Sequence, residues 1–291
     1  MTRAARVRTS GGDALAWREV GSRAEAERLL DRKEIYGAVL FSPGPNGLTA
    51  TVVVSGALNP SASQVAQPVL SQVAESVTSA SRAQAVRPGP AGPAVQTVTL
   101  HQTSAAGRTL PLAASALLWL ATLVTSALLT VLAPRLRQGR PLGRVPAVAA
   151  ALMGAIVGTL VVVGLARLWD AGLPLGWTAV GFLLLVGVAF ALLQAGVLRW
   201  LGPGGFGLLG LLYLTAPAVA GLVPELLHPA YRVLLWSWTP FRFSTETLRS
   251  LLFLGPDAPG VQTSLAVFGA LALVGLLLVL APKPSRRPAE G

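Results

Sequence analysis

The sequence predicts a polytopic α-helical membrane protein with a small α/β domain ahead of the membrane-spanning half. Of the 291 residues, 12% are charged and 53% are apolar, whereas about 25% of the residues of a soluble domain are charged. Five long stretches contain no Asp, Glu, Lys or Arg, and the other residues have an ordinary soluble composition. The chain also lacks cysteine, which excludes disulfides and cysteine nucleophiles.

Residues 1–107 form the predicted α/β domain. The elements expected in it are a strand at 15–20, a helix at 22–34, an apolar run at 36–41, a strand at 48–54, a helix at 61–82 and a strand at 95–101. Ser22 and Glu25 have the spacing of a capping box at a helix start. Asn46-Gly47 is typical of a hairpin turn between two strands. Pro68 predicts either a kink in the helix at 61–82 or its true start.

Residues 108–291 form the predicted transmembrane domain. The charge-free stretches are 109–134, 145–166, 171–198, 200–224 and 258–282. Each is long enough for a helix of about 20 residues, which crosses a bilayer. The predicted membrane-spanning helices are 111–133, 146–166, 174–197, 204–224 and 261–281. Five tryptophans lie close to the predicted membrane edges, where aromatic residues are enriched: Trp169, Trp177, Trp200, Trp236 and Trp238.

The basic residues predict the orientation of these helices in the plasma membrane. Arg135, Arg137, Arg140 and Arg144 lie in the loop between the first two predicted spans. Basic residues collect on the cytoplasmic side of membrane proteins. We therefore expect a cytoplasmic C-terminus and an extracytoplasmic location for residues 1–107. The net charge of +11 is interpreted as this orientation signal, with no role in binding nucleic acid.

The expected export of residues 1–107 requires a signal peptide or an upstream span, and the first residues, MTRAARVRTSGGD, resemble neither. Either this domain is cytoplasmic and the charge rule fails, or the natural chain begins further upstream. We favour the second alternative, in which a first transmembrane helix precedes Met1.

Few motifs in the sequence carry chemistry. A Walker A loop requires a Gly-Lys-Ser/Thr sequence, and neither Lys33 nor Lys283 has that context. Glu225 and His228 have the spacing of a metal-binding pair, but without further ligands we interpret them as residues of an interfacial loop. We therefore expect no catalytic residues, no bound metal and no cofactor.

The few polar residues of the predicted spans are interpreted as packing groups. The list includes Thr125, Ser126, Thr130, Gln194 and Thr215. We expect them to form hydrogen bonds between helices rather than to line a substrate path. The spacing of Gly154 and Gly158 allows another helix to approach closely.

Residues 226–254 are the most distinctive segment of the membrane half. The aromatic and basic residues singled out in this outer amphipathic segment are Trp236, Trp238, Phe241, Arg242, Phe243 and Arg249. Pro229 and Pro240 interrupt the segment too often for a plain span. One interpretation is an interfacial or re-entrant helix from about 244 to 254 at the outer bilayer surface. The other is a loop packed on the bundle.

This layout resembles the type-2 ABC exporter permeases, in particular the branch of phage-infection-protein-like membrane proteins of Gram-positive bacteria. In the α/β domain the resemblance rests on 24–41 (AEAERLLDRKEIYGAVLF), 48–56 and 61–82. In the membrane half it rests on 204–221 and on 240–255 (PFRFSTETLRSLLFLG). Members usually have six spans, the first of them before the soluble domain. The five spans predicted here depart from that pattern, in line with an upstream start.

The resemblance implies a permease subunit that forms homodimers and exports a lipid, polymer or drug with a separate cytoplasmic ATPase. The chain itself is then no enzyme. By the same analogy, the loop with Arg135, Arg137, Arg140 and Arg144 is a candidate ATPase contact, although an orientation anchor explains it more simply. The alternative is a non-transporting envelope protein whose outer domain binds a partner, a wall polymer or a phage.

Overall fold

A five-stranded sheet forms the centre of the N-terminal region. The computed structural model describes residues 2–7, 15–44, 47–84, 94–136 and 143–282. The strands are β1 (Thr2–Val7), β2 (Leu15–Val20), β3 (Gly37–Gly44), β4 (Gly47–Ser55) and β5 (Val95–Leu100), in the order β2-β1-β3-β4-β5. Only the β4–β5 pair is parallel. The hairpin expected on either side of Asn46-Gly47 is present as β3 and β4, although Asn46 itself lies outside the described residues.

Two helices pack on this sheet, as the sequence predicts. α1 (Arg23–Asp31) begins at the expected N-cap, where Ser22 Oγ accepts a hydrogen bond from the Glu25 backbone N–H at 3.1 Å. α2 (Pro60–Ala83) contains Pro68 in its interior, so this proline does not mark the start of the helix. The residues of α2 that are buried against the sheet recur every four positions: Ala62, Ala66, Leu70, Ala74 and Thr78.

Long apolar helices form the second half of the chain. They are α3 (Ala105–Leu136), α4 (Arg144–Trp169), α5 (Trp177–Leu201), α6 (Gly205–Ala220) and α9 (Val261–Leu280). Four segments are long and apolar enough to cross a membrane: Ala105–Leu132, Arg144–Trp169, Trp177–Ala220 and Val261–Leu280. The third segment contains both the third and the fourth predicted spans, so five separate spans are not confirmed by length and composition. The chain is a multi-pass membrane protein by these criteria.

The chain reverses direction between α5 and α6. Gly202 has φ +58°, a left-handed conformation that glycine adopts at low cost, and it ends α5. The start of α6 contacts the end of α5, because a Cβ on Gly205 would lie 3.1 Å from Leu198. The far end of α6 approaches Leu112 near the beginning of α3, at Gly221. α6 therefore runs back along the bundle towards the α/β domain.

Glycines set the closest helix contacts of the bundle. A Cβ on Gly154 would lie 2.6 Å from the Thr125 side chain, so the expected close approach of α4 to another helix is confirmed. Gly275 of α9 lies against the α5 backbone, where a Cβ would meet the Leu193 nitrogen at 2.5 Å. α5 and α9 run parallel at this contact, since Phe182 and Phe190 lie beside Phe268 and Trp200 bonds to Leu278 further along.

The polar residues of these helices mostly bond within their own helix. Thr125, Thr130 and Thr215 donate to the carbonyl four residues earlier, at 2.7–3.0 Å. Gln194 does reach another helix, donating through Nε2 to the Trp119 carbonyl at 3.1 Å. The expectation of hydrogen bonds between helices is therefore correct for Gln194 and wrong for these threonines. A hydroxyl can satisfy itself locally in lipid by bonding to the preceding turn.

Candidate functional site: a charged junction between the α/β domain and α8

A short polar helix, α8 (Pro240–Phe253), lies inside the membrane bundle. It follows η2 (Pro224–Leu226), α7 (Pro229–Tyr231) and a π-helical turn (Arg232–Trp236). Phe241, at its start, is fully buried, with ring centroids 5.2 Å from Trp119 of α3 and 5.5 Å from Phe190 of α5. The helix expected from about 244 to 254 is thus present as α8, and it packs on the bundle, so each of the two interpretations of residues 226–254 describes part of it.

Hydroxyl groups connect α8 to two long helices. The Ser244 and Ser115 hydroxyls lie 2.6 Å apart, and Ser115 is also bonded to the Pro111 carbonyl of α3. The Thr247 hydroxyl donates to Ser264 Oγ of α9 at 2.6 Å. All four hydroxyl side chains are buried. These bonds satisfy groups that would otherwise be costly to bury, and they fix the rotation of α8 about its axis.

Lys33 reaches α8 from the α/β domain. It follows α1 at the left-handed position of a Schellman motif, with φ +59°. The Lys33 N–H donates to the Leu30 carbonyl and the Glu34 N–H to the Leu29 carbonyl, at 3.0 and 2.9 Å. Glycine usually occupies this position, and a side chain there is strained. The strained conformation places Lys33 Nζ 2.6 Å from Ser250 Oγ of α8.

Glu246 and Arg249 of α8 act electrostatically on this lysine, and Arg242 of the same helix acts on Glu246. We define the charged junction as Lys33 together with Arg242, Glu246 and Arg249. Burial lowers the pKa of Lys33 to about 8 in spite of the attraction of Glu246. Burial also lowers the pKa of Arg249 to about 10 and raises the pKa of the Glu246 carboxyl, against the attraction of Arg242 and Lys33. Glu246 thus lies among three cations, and the carboxylate of Glu225 also acts on it.

Two further contacts join the α/β domain to the bundle at the same end. The Tyr36 hydroxyl donates to Glu225 Oε2 at 3.0 Å. Ser104, just before α3, donates to Asp170 Oδ2 at 2.6 Å in the turn after α4. Hydrogen bonds from Ser104 and the Gly172 N–H lower the pKa of the Asp170 carboxyl. The domain is therefore attached at several points around the bundle end and not only through the chain itself.

The aromatic and basic residues expected in the outer segment differ in their burial. Phe241 and Arg249 are buried in the bundle. Arg242 stacks on two aromatic rings, at 3.8 Å from the centroid of Trp236 and 4.1 Å from that of Phe243. Trp238 is about half exposed, and its Nε1 donates to the Leu234 carbonyl.

The expected arginine loop lies at the opposite end of the bundle. Arg135 ends α3 and Arg144 begins α4, and both are exposed. Arg137 and Arg140 lie outside the described residues. Arg135 and Arg144 are therefore separated from the charged junction by the length of the bundle.

Glu225 and His228 do not converge on a common site. Glu225 accepts the Tyr36 hydroxyl, while His228 Nδ1 accepts the Ala230 N–H as the cap of α7. Within the described ranges, no three His, Cys, Asp or Glu residues are grouped as they would be around a metal ion.

Sequence reasoning missed Lys33 and Glu246 as members of a site. Lys33 is one of only two lysines in an arginine-rich chain, and it stands where a helix end favours glycine. Glu246 lies on a helix with buried residues on several sides. Neither signal indicates that the two residues lie close together, because they are 213 positions apart in the sequence.

Comparisons with protein-family models, with curated proteins and with solved structures found no match. A domain at one end of the bundle contacts, through buried charges, a polar helix that packs against α3, α5, α6 and α9. Any displacement of the domain would change the environment of Glu246, and any rotation of α8 would move Lys33.

Proposed function

We propose that this protein is the membrane-spanning permease subunit of an ABC-type exporter. It works with a separate ATPase subunit, as a homodimer, and moves a lipid, polymer or drug-like substrate outward. The observation that carries the proposal is the charged junction, which connects a domain outside the bundle to a polar helix within it. A contact of this kind lets a rigid-body movement of the domain bias the arrangement of the membrane helices.

The proposed topology has five crossings in the plasma membrane. α3, α5 and α9 run from the α/β domain towards the far end, and α4 and α6 run back. The α/β domain is extracytoplasmic and the far end, with Arg135 and Arg144, is cytoplasmic. The position of the exposed arginines at the end away from the domain supports this orientation.

Single-cysteine labelling tests this topology directly, because the chain has no cysteine of its own. Ser79→Cys places a thiol on the exposed face of α2, and Gly143→Cys places one at the N-cap of α4. A membrane-impermeant maleimide should label the first in intact cells and the second only after permeabilisation. The reverse pattern would overturn the orientation, and labelling of both in intact cells would overturn the odd number of crossings between them.

Association with an ATPase tests the transport proposal. The full-length protein, purified in mild detergent from its native membrane, should carry an ATP-hydrolysing subunit. Neutralising Arg135 and Arg144 should weaken this association if the far-end loop is the contact, whereas neutralising Arg23 and Arg28 on the α/β domain should not. Absence of any ATPase under conditions that preserve known transporter complexes would contradict the proposal.

A cavity in the α/β domain supports a second candidate function. It has a volume of about 130 Å³ and is lined partly by the polar side chains of Ser63, Gln64, Gln67 and Thr99. Arg108 also lines it, so amide, hydroxyl and guanidinium groups are available to a polar ligand such as a wall polysaccharide. A non-transporting envelope protein that binds such a polymer is therefore the alternative. Retention of the purified protein on cell-wall material without an associated ATPase would favour it.

A further inference from the structure

A second cavity lies where the charged junction meets the membrane helices. It has a volume of about 450 Å³ and opens between α3 and α6. Arg249 of α8 and Arg108 of α3 line its polar part. Leu112, Ala113 and Ala116 of α3 and Pro217 of α6 line most of the apolar part. The cavity thus has guanidinium groups near the α/β domain and apolar walls on helices that are apolar enough to cross a membrane.

Arg249 is a buried cation without a sufficient counter-ion. Its residue is only 4% exposed. Glu246 attracts it electrostatically, but in the described part of the chain no carboxylate lies within ion-pairing distance of its guanidinium. Its guanidinium nitrogens are not among the fully enclosed, unpaired polar atoms of the described residues, and the side chain lines the cavity. A buried guanidinium without a contact ion pair is costly, so the cavity in front of it calls for an anionic acceptor.

The charged groups around the cavity carry a net positive charge. The cations Lys33, Arg242 and Arg249 face the carboxylates of Glu246 and Glu225. Arg108, at the mouth of the cavity, adds a further positive charge, and its side chain is exposed. Four cations and two carboxylates leave an excess of two positive charges. No acidic residue lines the cavity itself.

We propose that this cavity binds the phosphate headgroup of an anionic glycerophospholipid from the surrounding bilayer. The phosphate accepts hydrogen bonds from Arg249 at the closed end and from Arg108 at the mouth, since guanidinium groups match phosphate oxygens in pairs. The acyl chains lie along Leu112, Ala113, Ala116 and Pro217. Free inorganic phosphate uses only the polar half of this site, so the apolar walls favour the lipid. The inference does not rest on the transport proposal.

Native mass spectrometry of the full-length protein in detergent tests this proposal, with phosphatidylglycerol as the probe. The wild type should retain one tightly bound phosphatidylglycerol per chain, and diacylglycerol, which lacks the phosphate, should bind at least tenfold more weakly. Arg249→Gln should weaken phosphatidylglycerol at least tenfold and Arg108→Gln several-fold. The matched control is Arg232→Gln, an exposed arginine that does not line the cavity, and it should bind as the wild type does.

A second set of measurements separates a lipid site from a site for any anion. Ala113→Phe fills the apolar part of the cavity and keeps both arginines, so it should weaken phosphatidylglycerol several-fold. It also serves if Arg249→Gln fails to fold. Thermal stabilisation of the wild type by inorganic phosphate as large as that by phosphatidylglycerol would overturn the assignment to a lipid. Unchanged lipid binding in Arg249→Gln, or equal loss in Arg232→Gln, would overturn the site itself.

Discussion

α8 and α9 are neighbouring helices in contact, and they follow opposite relations between polarity and burial. α9 has no charged residue, yet Leu273 and Leu277 are 56% and 57% exposed. α8 carries three charged residues, and Arg249 is 4% exposed. In water this distribution would be inverted. In a bilayer the apolar surface needs no protein cover, whereas backbone and charged groups must be satisfied by the protein.

This difference shows where the specific interactions of this protein lie. Apolar side chains on α9 face surroundings as apolar as themselves, so its contacts depend on close packing at glycines. α8 instead depends on aromatic packing, hydroxyl bonds and the charged junction. Paired substitutions, each with a control variant, therefore test this contrast.

The largest expected effect is on the aromatic packing of α8. Phe241→Ala removes a buried ring that contacts Trp119, Phe190 and Tyr213, and should lower the free energy of unfolding by about 3–5 kcal/mol. The control Leu273→Ala truncates an exposed side chain of α9 and should change it by less than about 0.5 kcal/mol. Unfolding in a detergent titration measures both. Similar losses in the two variants would refute the contrast.

The second effect concerns the only carboxylate of α8. Glu246→Gln leaves Lys33, Arg242 and Arg249 without their shared counter-charge. It should cost less than the roughly 3–5 kcal/mol lost when one member of a buried contact ion pair is removed, because Glu246 is only partly buried and no described cation lies within ion-pairing distance of its carboxylate. Glu19→Gln, on the exposed face of β2, should have almost no effect. Adding Arg249→Gln to Glu246→Gln should recover part of the loss. Strict additivity of the two substitutions would show that the charges are not coupled.

A smaller effect is expected at the contact between α5 and α9. Gly275→Ala places a Cβ within 2.5 Å of the Leu193 backbone nitrogen, and the overpacking should cost about 1–3 kcal/mol. Gly269→Ala on the same helix meets no atom within 4 Å and should be neutral. The comparison is read from thermal inactivation of the two purified variants. If both lose stability equally, close packing at Gly275 is not what holds α9.

The last effect is a pH dependence set by Lys33, at most about 1.4 kcal/mol for each pH unit. Burial lowers its pKa from 10.5 to about 8, so between these pH values the unfolded chain binds the proton more strongly than the folded chain. The free energy of unfolding should therefore rise with pH over this window. The slope corresponds to the release of at most one proton on folding. Lys33→Met should abolish that part of the rise, and Arg32→Met, beside it, should leave it unchanged. The free energy of unfolding is measured for both proteins at several pH values. The same change with pH in the wild type and in Lys33→Met would contradict the assignment.

Local patterns were sufficient for most of the elements. The strand at 15–20 coincides with β2, the Ser22 cap begins α1, and each charge-free stretch contributed to a long helix. These features depend on residues close in sequence, through periodicity, capping and hydropathy. β1 was not predicted, because Thr2–Val7 has two arginines and little apolar alternation, and its pairing with both β2 and β3 defines it instead.

The sequence by itself determined that this is a multi-pass membrane protein with an α/β domain at its N-terminal end. Segment hydropathy can be read from the chain alone, because apolar side chains need no partner to lie in lipid. Only the tertiary structure decided that α8 lies inside the bundle and that Lys33 bonds to Ser250, 217 positions away. A buried charge is tolerated only where its partners and its cavity are assembled around it, and no local pattern carries that information.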